Sequence, residues 1–324
     1  MEYGRVPGID KPISRLVHGC IMVTTEDLDY SFGLLDAAYE NGYNAFDNAN
    51  VYGREREKAL GLWAKDRGLR DKVVLLTKGA HHNSDRRRVT PFDITADLHD
   101  SLARMETDYI DLYVLHRDDP NVPVGPIVEI LNEHQRAGLI HAFGGSNWSH
   151  ERIAEANAYA QEHDLTPFAV TNPQFSLVEQ IEEPWEGCIS IGGEQGEAAR
   201  AYYAKNDIPV FSWSSLARGF LSGRYTRASI DALPDDCDEL CIRCFKSDAN
   251  LERLDRAHAL AKAKGLTVPK DATAYIFSQP LNLFALVGCE NADELRENAE
   301  AQALRLTQEE SDWLDLTTDE KPGS

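Results

Sequence analysis

Eight short apolar runs, each followed by a stretch of helical periodicity, constrain this chain more than any other feature. Residues 15–21 read as a first strand. Residues 26–40 then carry Leu28, Phe32, Leu35, Ala38 and Tyr39 at helical spacing, and Asn41-Gly42 stops that helix. The same alternation places strands at 45–49, 73–78, 109–116, 140–146, 168–174, 209–215 and 283–289. Helices are expected at 55–67, 91–105 (Thr90 as N-cap, Pro91 in the first turn), 124–137 and 149–163 with Ser149 as cap. Further helices are expected at 197–205, 251–264, 270–278, 292–304 and 307–316. Residues 177–196 read as irregular. Residues 216–250 read as a connection longer than most, hence functional. Eight strands alternating with helices predict a (β/α)8 TIM barrel in one domain, residues 1–324. An open doubly wound sheet is the competing fold. It lacks support because the first strand reads His18-Gly19-Cys20-Ile21, with no glycine-rich dinucleotide fingerprint after it.

Composition narrows the function. A chain of 324 residues that is 42% hydrophobic can bury a sizeable core. Its formal net charge of -21 repels phosphate backbones and anionic membranes, so neither nucleic acid nor membrane is an expected partner. No apolar run approaches the roughly 20 residues of a membrane helix, and no secretory h-region is visible at the N-terminus. A cytoplasmic protein is the expectation.

In a parallel barrel the strand C-termini converge on one mouth, where active sites lie. Here the second strand ends at Asp47, the third at Lys78 and the fourth at His116, and Tyr52 follows shortly after Asp47. A free phenol titrates near ~10. An adjacent ammonium stabilises the phenolate, so Lys78 is expected to tune Tyr52 downward. A buried lysine needs a counter-charge, which Asp47 is placed to give. His116 can donate a hydrogen bond to a substrate oxygen. Together the four make a proton-transfer centre.

Six segments in order resemble those of the aldo-keto reductases. Phe46-Asp47-Asn48-Ala49-Asn50-Val51-Tyr52-Gly53 is similar to their F-D-T-A-x-x-Y-G motif, and Lys78 and His116 fall where that family's catalytic Lys and His do. Gly144-Gly145-Ser146-Asn147-Trp148, Asn172-Pro173-Gln174-Phe175-Ser176-Leu177, Ser212-Trp213-Ser214-Ser215-Leu216-Ala217-Arg218-Gly219 and Leu295-Arg296-Glu297-Asn298 resemble later motifs of the family. The resemblance implies NAD(P)(H)-dependent interconversion of a carbonyl (aldehyde, ketone or sugar) and its alcohol. By that resemblance Tyr52 is the general acid or base, tuned by Lys78 and Asp47, and His116 orients the carbonyl. It also implies that Ser146, Asn147 and Gln174 hold the nicotinamide carboxamide and Trp213 stacks on the ring. Ser214, Leu216 and Arg224 would follow the pyrophosphate, and Asn298 would reach the adenine.

The chain departs from relatives that use NADP. Where those carry Lys or Arg, it reads Gly288-Cys289-Glu290-Asn291 and then Glu294. A carboxylate repels a 2′-phosphate but accepts a hydrogen bond from a free ribose 2′-hydroxyl, so NAD(H) is expected to serve at least as well as NADP(H). Three further features invite a function. The loop from Gly79 to Arg88, with His81, His82, Arg86 and Arg87, is a basic island suited to an anionic or polyhydroxyl ligand, or merely a solvated loop. His18, Cys20, Met22 and Trp148 are candidates to line the pocket. Cys237, Cys241 and Cys244 have C-x3-C-x2-C spacing, compatible with an iron-sulfur cluster, but late position and the lack of a fourth ligand favour reduced thiols. No metal is expected. A non-catalytic nicotinamide-binding protein of the same fold, comparable to potassium-channel β-subunits, is the alternative function.

Overall fold

The computed structural model describes residues 1–230 and 239–323. It opens with a hairpin that the sequence reading did not anticipate: β1 (Tyr3–Val6) and β2 (Ile9–Ser14), antiparallel, turning at Pro7-Gly8. Eight strands follow. They are β3 (Leu16–Gly19), β4 (Ala45–Asp47), β5 (Val74–Gly79), β6 (Ile110–Leu115), β7 (Ile140–Ser146), β8 (Val170–Asn172), β9 (Val210–Ser212) and β10 (Leu283–Val287). All pair in parallel and close in the order β10-β3-β4-β5-β6-β7-β8-β9, so the fold is the expected (β/α)8 barrel. Several strands are shorter than their apolar runs. Residues 48–49, 173–174 and 213–215 lie outside these strands, with Gln174 and Trp213 still joined by an isolated parallel bridge.

Val6, Ile9 and Ile13 of the hairpin pack on Val17, Val74, Leu76, Leu112, Phe211 and Phe284 inside the barrel. Lys11 donates to the Val73 carbonyl at 2.6 Å and pairs with Asp111 at 2.5 Å, both near strand N-termini. The hairpin therefore closes the barrel floor, and the strand C-termini form the opposite, open end.

The helices begin where local chemistry dictates. Thr90 accepts from the Asp93 amide ahead of the helix Pro91–Met105, and Ser149 from the Arg152 amide ahead of His150–Glu162. Thr307 and Glu310 form a reciprocal capping box ahead of Gln308–Leu314. Helix Arg54–Asp66 crosses Pro91–Met105 so closely that a Cβ on Gly61 would lie 2.0 Å from the Met105 carbonyl oxygen. Glycine is required there by space. The outer core, between strands and helices, includes Trp63 stacked at a tilt on Phe46 with ring centroids 4.9 Å apart. Each such buried side chain contributes roughly 2–3 kcal/mol of burial free energy. The region read as one long connection holds helices Arg227–Ile230 and Glu239–Phe245, and the helix after it starts at Asp248, capped by Ser247.

Candidate active site at the barrel mouth

Asp47 ends β4, Lys78 is the penultimate residue of β5, and His116 follows β6 directly. Adjacent parallel strands thus bring three residues, separated in sequence by 31 or more positions, to one rim. The Lys78 ammonium donates to the Asp47 carboxylate and, at 3.1 Å, to the Asn48 carbonyl. Both side chains of this pair are almost wholly buried, at 3% and 6% exposure. The helical turn Asn50–Tyr52 brings the Tyr52 ring back over it, with Lys78 Nζ 5.6 Å from the ring centroid. His116 stands edge-on to Tyr52, centroids 5.9 Å apart.

The ion pair holds Lys78 above its ordinary pKa: burial opposes the charge, but Asp47 and the phenol together outweigh it. His116 is pushed well below its usual value by burial first, then by the positive charges of Lys78 and Arg117, so it is a neutral imidazole at physiological pH. Tyr52 corrects the sequence expectation in part. Lys78, Arg117 and Arg218 all draw its pKa down, yet burial outweighs them and the phenol sits above its ordinary value. It holds its proton firmly, and the surrounding cations stabilise the phenolate left when that proton is given up.

The residues expected at the cofactor share the same end of the barrel. Ser146 ends β7, and its hydroxyl donates to the Asn172 carbonyl at 2.9 Å. Asn147 follows with φ 59°, donates to the His116 carbonyl at 3.3 Å and accepts from the Ile189 amide at 3.0 Å. Gln174 donates to Ser176 at 3.0 Å and accepts from Ser190 at 2.6 Å. Segment 188–191 therefore occupies one lone pair on each amide oxygen and leaves the second. Trp213 bridges in register to Gln174, and its indole N–H is buried without a partner. Ser214 and the run Ala217, Arg218 and Gly219 all have positive φ, which turns the chain sharply after β9 past Leu216.

Farther out, Arg224 is exposed and lines a cleft of about 590 Å³ with His258, Lys262, Val268 and Glu297. Glu294 lines a neighbouring cleft of about 540 Å³ with Lys270, Asn291 and Arg296. Glu297 borders both. Gly288 follows β10 and faces open space: a Cβ added there meets nothing within 4 Å. Asn298 is buried, donates to Cys289 Sγ at 3.3 Å, and keeps its carbonyl oxygen without a partner. That orphaned acceptor and the open glycine would fit an adenine amine.

Several readings need correction. His18 lies on the outer face of β3 against Tyr43 and Phe46, because it shares the parity of Leu16 rather than of the inward Val17. Trp148 is buried on Phe168 and donates to the Arg117 carbonyl, and Cys20 is buried with its thiol toward the His18 carbonyl. Of those four, Met22 is the one exposed at the surface. The basic island is internally neutralised. Arg86 pairs with Asp93 at 2.7 Å, Arg88 with Asp97 at 2.6 Å and Arg87 with Glu186 at 2.8 Å. Asp118 is structural, held by Arg152 at 3.2 Å. Cys241 and Cys244 are buried on one helix, while Cys237 lies outside the described residues. Among the described residues no group of three or more His, Cys, Asp or Glu is placed to hold a metal ion.

Near the centre, His81 was read only as part of the basic loop, and Arg117 was not singled out by the sequence. His81 stacks edge-on to His116 with centroids 4.9 Å apart. Arg117, next to His116, is buried at 6% exposure. A cation immediately after a strand-end histidine was the available signal.

The sequence model of the Aldo/keto reductase family matches residues 15–317. The chain belongs to the aldo/keto reductase family. Aldo-keto reductase YhdN of Bacillus subtilis is 30% identical over 89% of this chain and 82% of its own. A probable voltage-gated potassium channel subunit beta of Oryza sativa is 27% identical over 99% of this chain and 98% of its own. Among solved structures, a glycerol dehydrogenase of Gluconobacter oxydans superposes with TM-score 0.75 at 24% identity, covering 97% of this chain and 94% of that one. Family membership supports an oxidoreductase. Among the described residues no helix is long and apolar enough to cross a membrane.

Proposed function

We propose that this protein interconverts a carbonyl and its alcohol with NAD(P)(H), Tyr52 acting as general acid in reduction and general base in oxidation. The carrying observation is the buried Lys78–Asp47 pair beneath Tyr52, beside a neutral His116. Bound nicotinamide supplies or takes up the hydride. Tyr52 delivers its proton to the carbonyl oxygen as negative charge develops there. Lys78 stabilises the phenolate, and Asp47 keeps Lys78 charged and in place. The neutral His116 donates a hydrogen bond to the same oxygen, which positions the carbonyl for transfer. Ser146, Asn147 and Gln174 would hold the carboxamide and Trp213 would flank the ring. Ser214, Leu216 and Arg224 would hold the pyrophosphate, and Asn298 would accept from the adenine.

The cofactor end favours NAD(H). Glu294 accepts from the Glu290 amide at 2.9 Å, so its carboxylate is fixed at the start of helix Ala292–Ala301. The two cations beside it are neutralised, Lys270 by Glu300 and Arg296 by Asp293, each at 2.7 Å. A 2′-phosphate would meet one fixed carboxylate and no free cation among these residues.

A second reading, a regulatory nicotinamide-binding subunit, draws on the likeness to channel β-subunits, and an intact site is compatible with it. A spectrophotometric screen of NADH and NADPH oxidation, and of NAD and NADP reduction, over aldehydes, ketones and sugars separates the two. Turnover with at least one carbonyl is expected. Tight cofactor binding with no turnover on any substrate would establish the regulatory reading instead.

A further inference from the structure

The mouth of the site contains a buried cation, Arg117, to which the reaction above gives no contact with substrate. Arg117 is more than nine-tenths buried, donates from Nη1 to the His116 carbonyl at 2.8 Å, and leaves Nε buried without a partner. None of the nearby acids is ion-paired with it, and Glu183 acts on it only from beyond contact. Glu183 accepts from the Gly187 amide at 2.9 Å, and Glu186 pairs with Arg87. Asp118 pairs with Arg152, and Asp119 accepts from the Asn121 amide at 3.1 Å. Among the described residues no carboxylate lies within ion-pair distance of Arg117.

A buried guanidinium without a counter-charge costs several kcal/mol, and proteins rarely keep one without a use. Its Nη1 sits on the His116 carbonyl, and it lies within electrostatic reach of Tyr52, His116 and His81 as well as of Cys188 and Glu183. Segment 183–188 lies over it: a Cβ on Gly187 would be 4.0 Å from Arg117 Cδ. Arg218 approaches Tyr52 from the β9 side, its guanidinium 5.4 Å over the exposed Trp185 ring.

We propose that Arg117, flanked by Arg218, forms an oxyanion subsite beside Tyr52, and that the carbonyl substrate carries a carboxylate or phosphate that fills it. This rests on the carbonyl-reductase reading. A planar guanidinium binds either group through charge-assisted hydrogen bonds. It also explains how a protein of net charge -21 recruits an anionic substrate: the positive charge is local and buried.

Matched substrate pairs test it: 4-carboxybenzaldehyde against benzaldehyde, and glyceraldehyde 3-phosphate against glyceraldehyde. The wild type should favour one anionic member by about tenfold or more in kcat/KM, chiefly through KM; which pair does so identifies the anion. Arg117→Gln should remove that preference, costing the anionic member about tenfold or more in kcat/KM beyond whatever it costs the neutral partner, and Arg117→Lys should restore part of it. Equal kcat/KM across both pairs in the wild type overturns the proposal, as does an Arg117→Gln loss equal for anionic and neutral substrates. If the variant does not fold, tryptophan-fluorescence titration of the wild type with benzoate, inorganic phosphate and benzyl alcohol decides. Saturable quenching by an anion but not by the alcohol is expected; the same response to all three sinks the subsite. If no carbonyl is turned over but benzoate still binds selectively, the subsite stands and the reductase reading falls.

Discussion

Replacing Lys78 with methionine isolates the electrostatics of proton transfer. Lys78 Nζ lies 5.6 Å from the Tyr52 ring centroid. At an effective dielectric near ~20, a unit charge at that distance contributes about 3 kcal/mol to the stability of a phenolate. That is about two pKa units, or up to about a hundredfold in rate when proton transfer is far advanced. Methionine also leaves Asp47 buried and unpaired, which costs roughly 3–5 kcal/mol of fold stability. The double variant Asp47→Asn/Lys78→Met removes both charges and separates chemistry from folding. The assay is single-turnover reduction at saturating cofactor, with circular dichroism and cofactor-induced quenching of tryptophan fluorescence as controls. Both variants should lose about tenfold to a hundredfold in the chemical step while cofactor affinity changes little. A double variant that folds, binds cofactor and turns over within about threefold of wild type would refute the argument that Lys78 stabilises developing phenolate.

Two other outcomes follow from charge placement. Glu294→Lys should raise the ratio of NADPH to NADH catalytic efficiency by about tenfold or more, because it replaces a fixed carboxylate with a cation; an unchanged ratio removes Glu294 from the cofactor site. Asp271 is fully buried with both carboxylate oxygens unpartnered, and burial holds it up to about 7. Its folded value exceeds the unfolded ~3.9, so its contribution is fully present below pH ~4 and is lost as pH rises to about 7, at most about 4 kcal/mol. Asp271→Asn cannot ionise. Its melting temperature relative to wild type should therefore rise between pH 4.5 and pH 8, and a pH-independent difference would show that Asp271 does not titrate in that window.

The barrel, and the meeting of Asp47, Tyr52, Lys78 and His116 at its mouth, were legible because both are written in short-range pattern. Apolar runs of strand length gave eight strands, and residues ending those runs had to meet at one rim. What escaped was set by three-dimensional packing. The β1–β2 hairpin is only two short strands, and its role as a floor appears only when Val6, Ile9 and Ile13 meet the barrel interior. His18 was placed in the pocket although its parity with Leu16 points it outward, an error that strand alternation could have prevented. Arg86, Arg87 and Arg88 read as a free basic island because their partners Asp93, Asp97 and Glu186 lie on other segments. Arg117 went unnoticed for the opposite reason, since a sequence does not say which cations lack an acid. The tuning of Tyr52 was right in its agents and incomplete in its balance: spacing shows Lys78, but only burial shows how far desolvation opposes it.

The most direct test of the account is Tyr52→Phe on whichever carbonyl the wild type reduces. The substitution removes one oxygen and keeps the aromatic ring beside Lys78 and His116, so fold and cofactor binding should persist. Steady-state reduction followed by nicotinamide absorbance should fall by about two or more orders of magnitude, with cofactor affinity within about threefold of wild type. A Tyr52→Phe enzyme that retains full activity would contradict the assignment of proton transfer to this phenol.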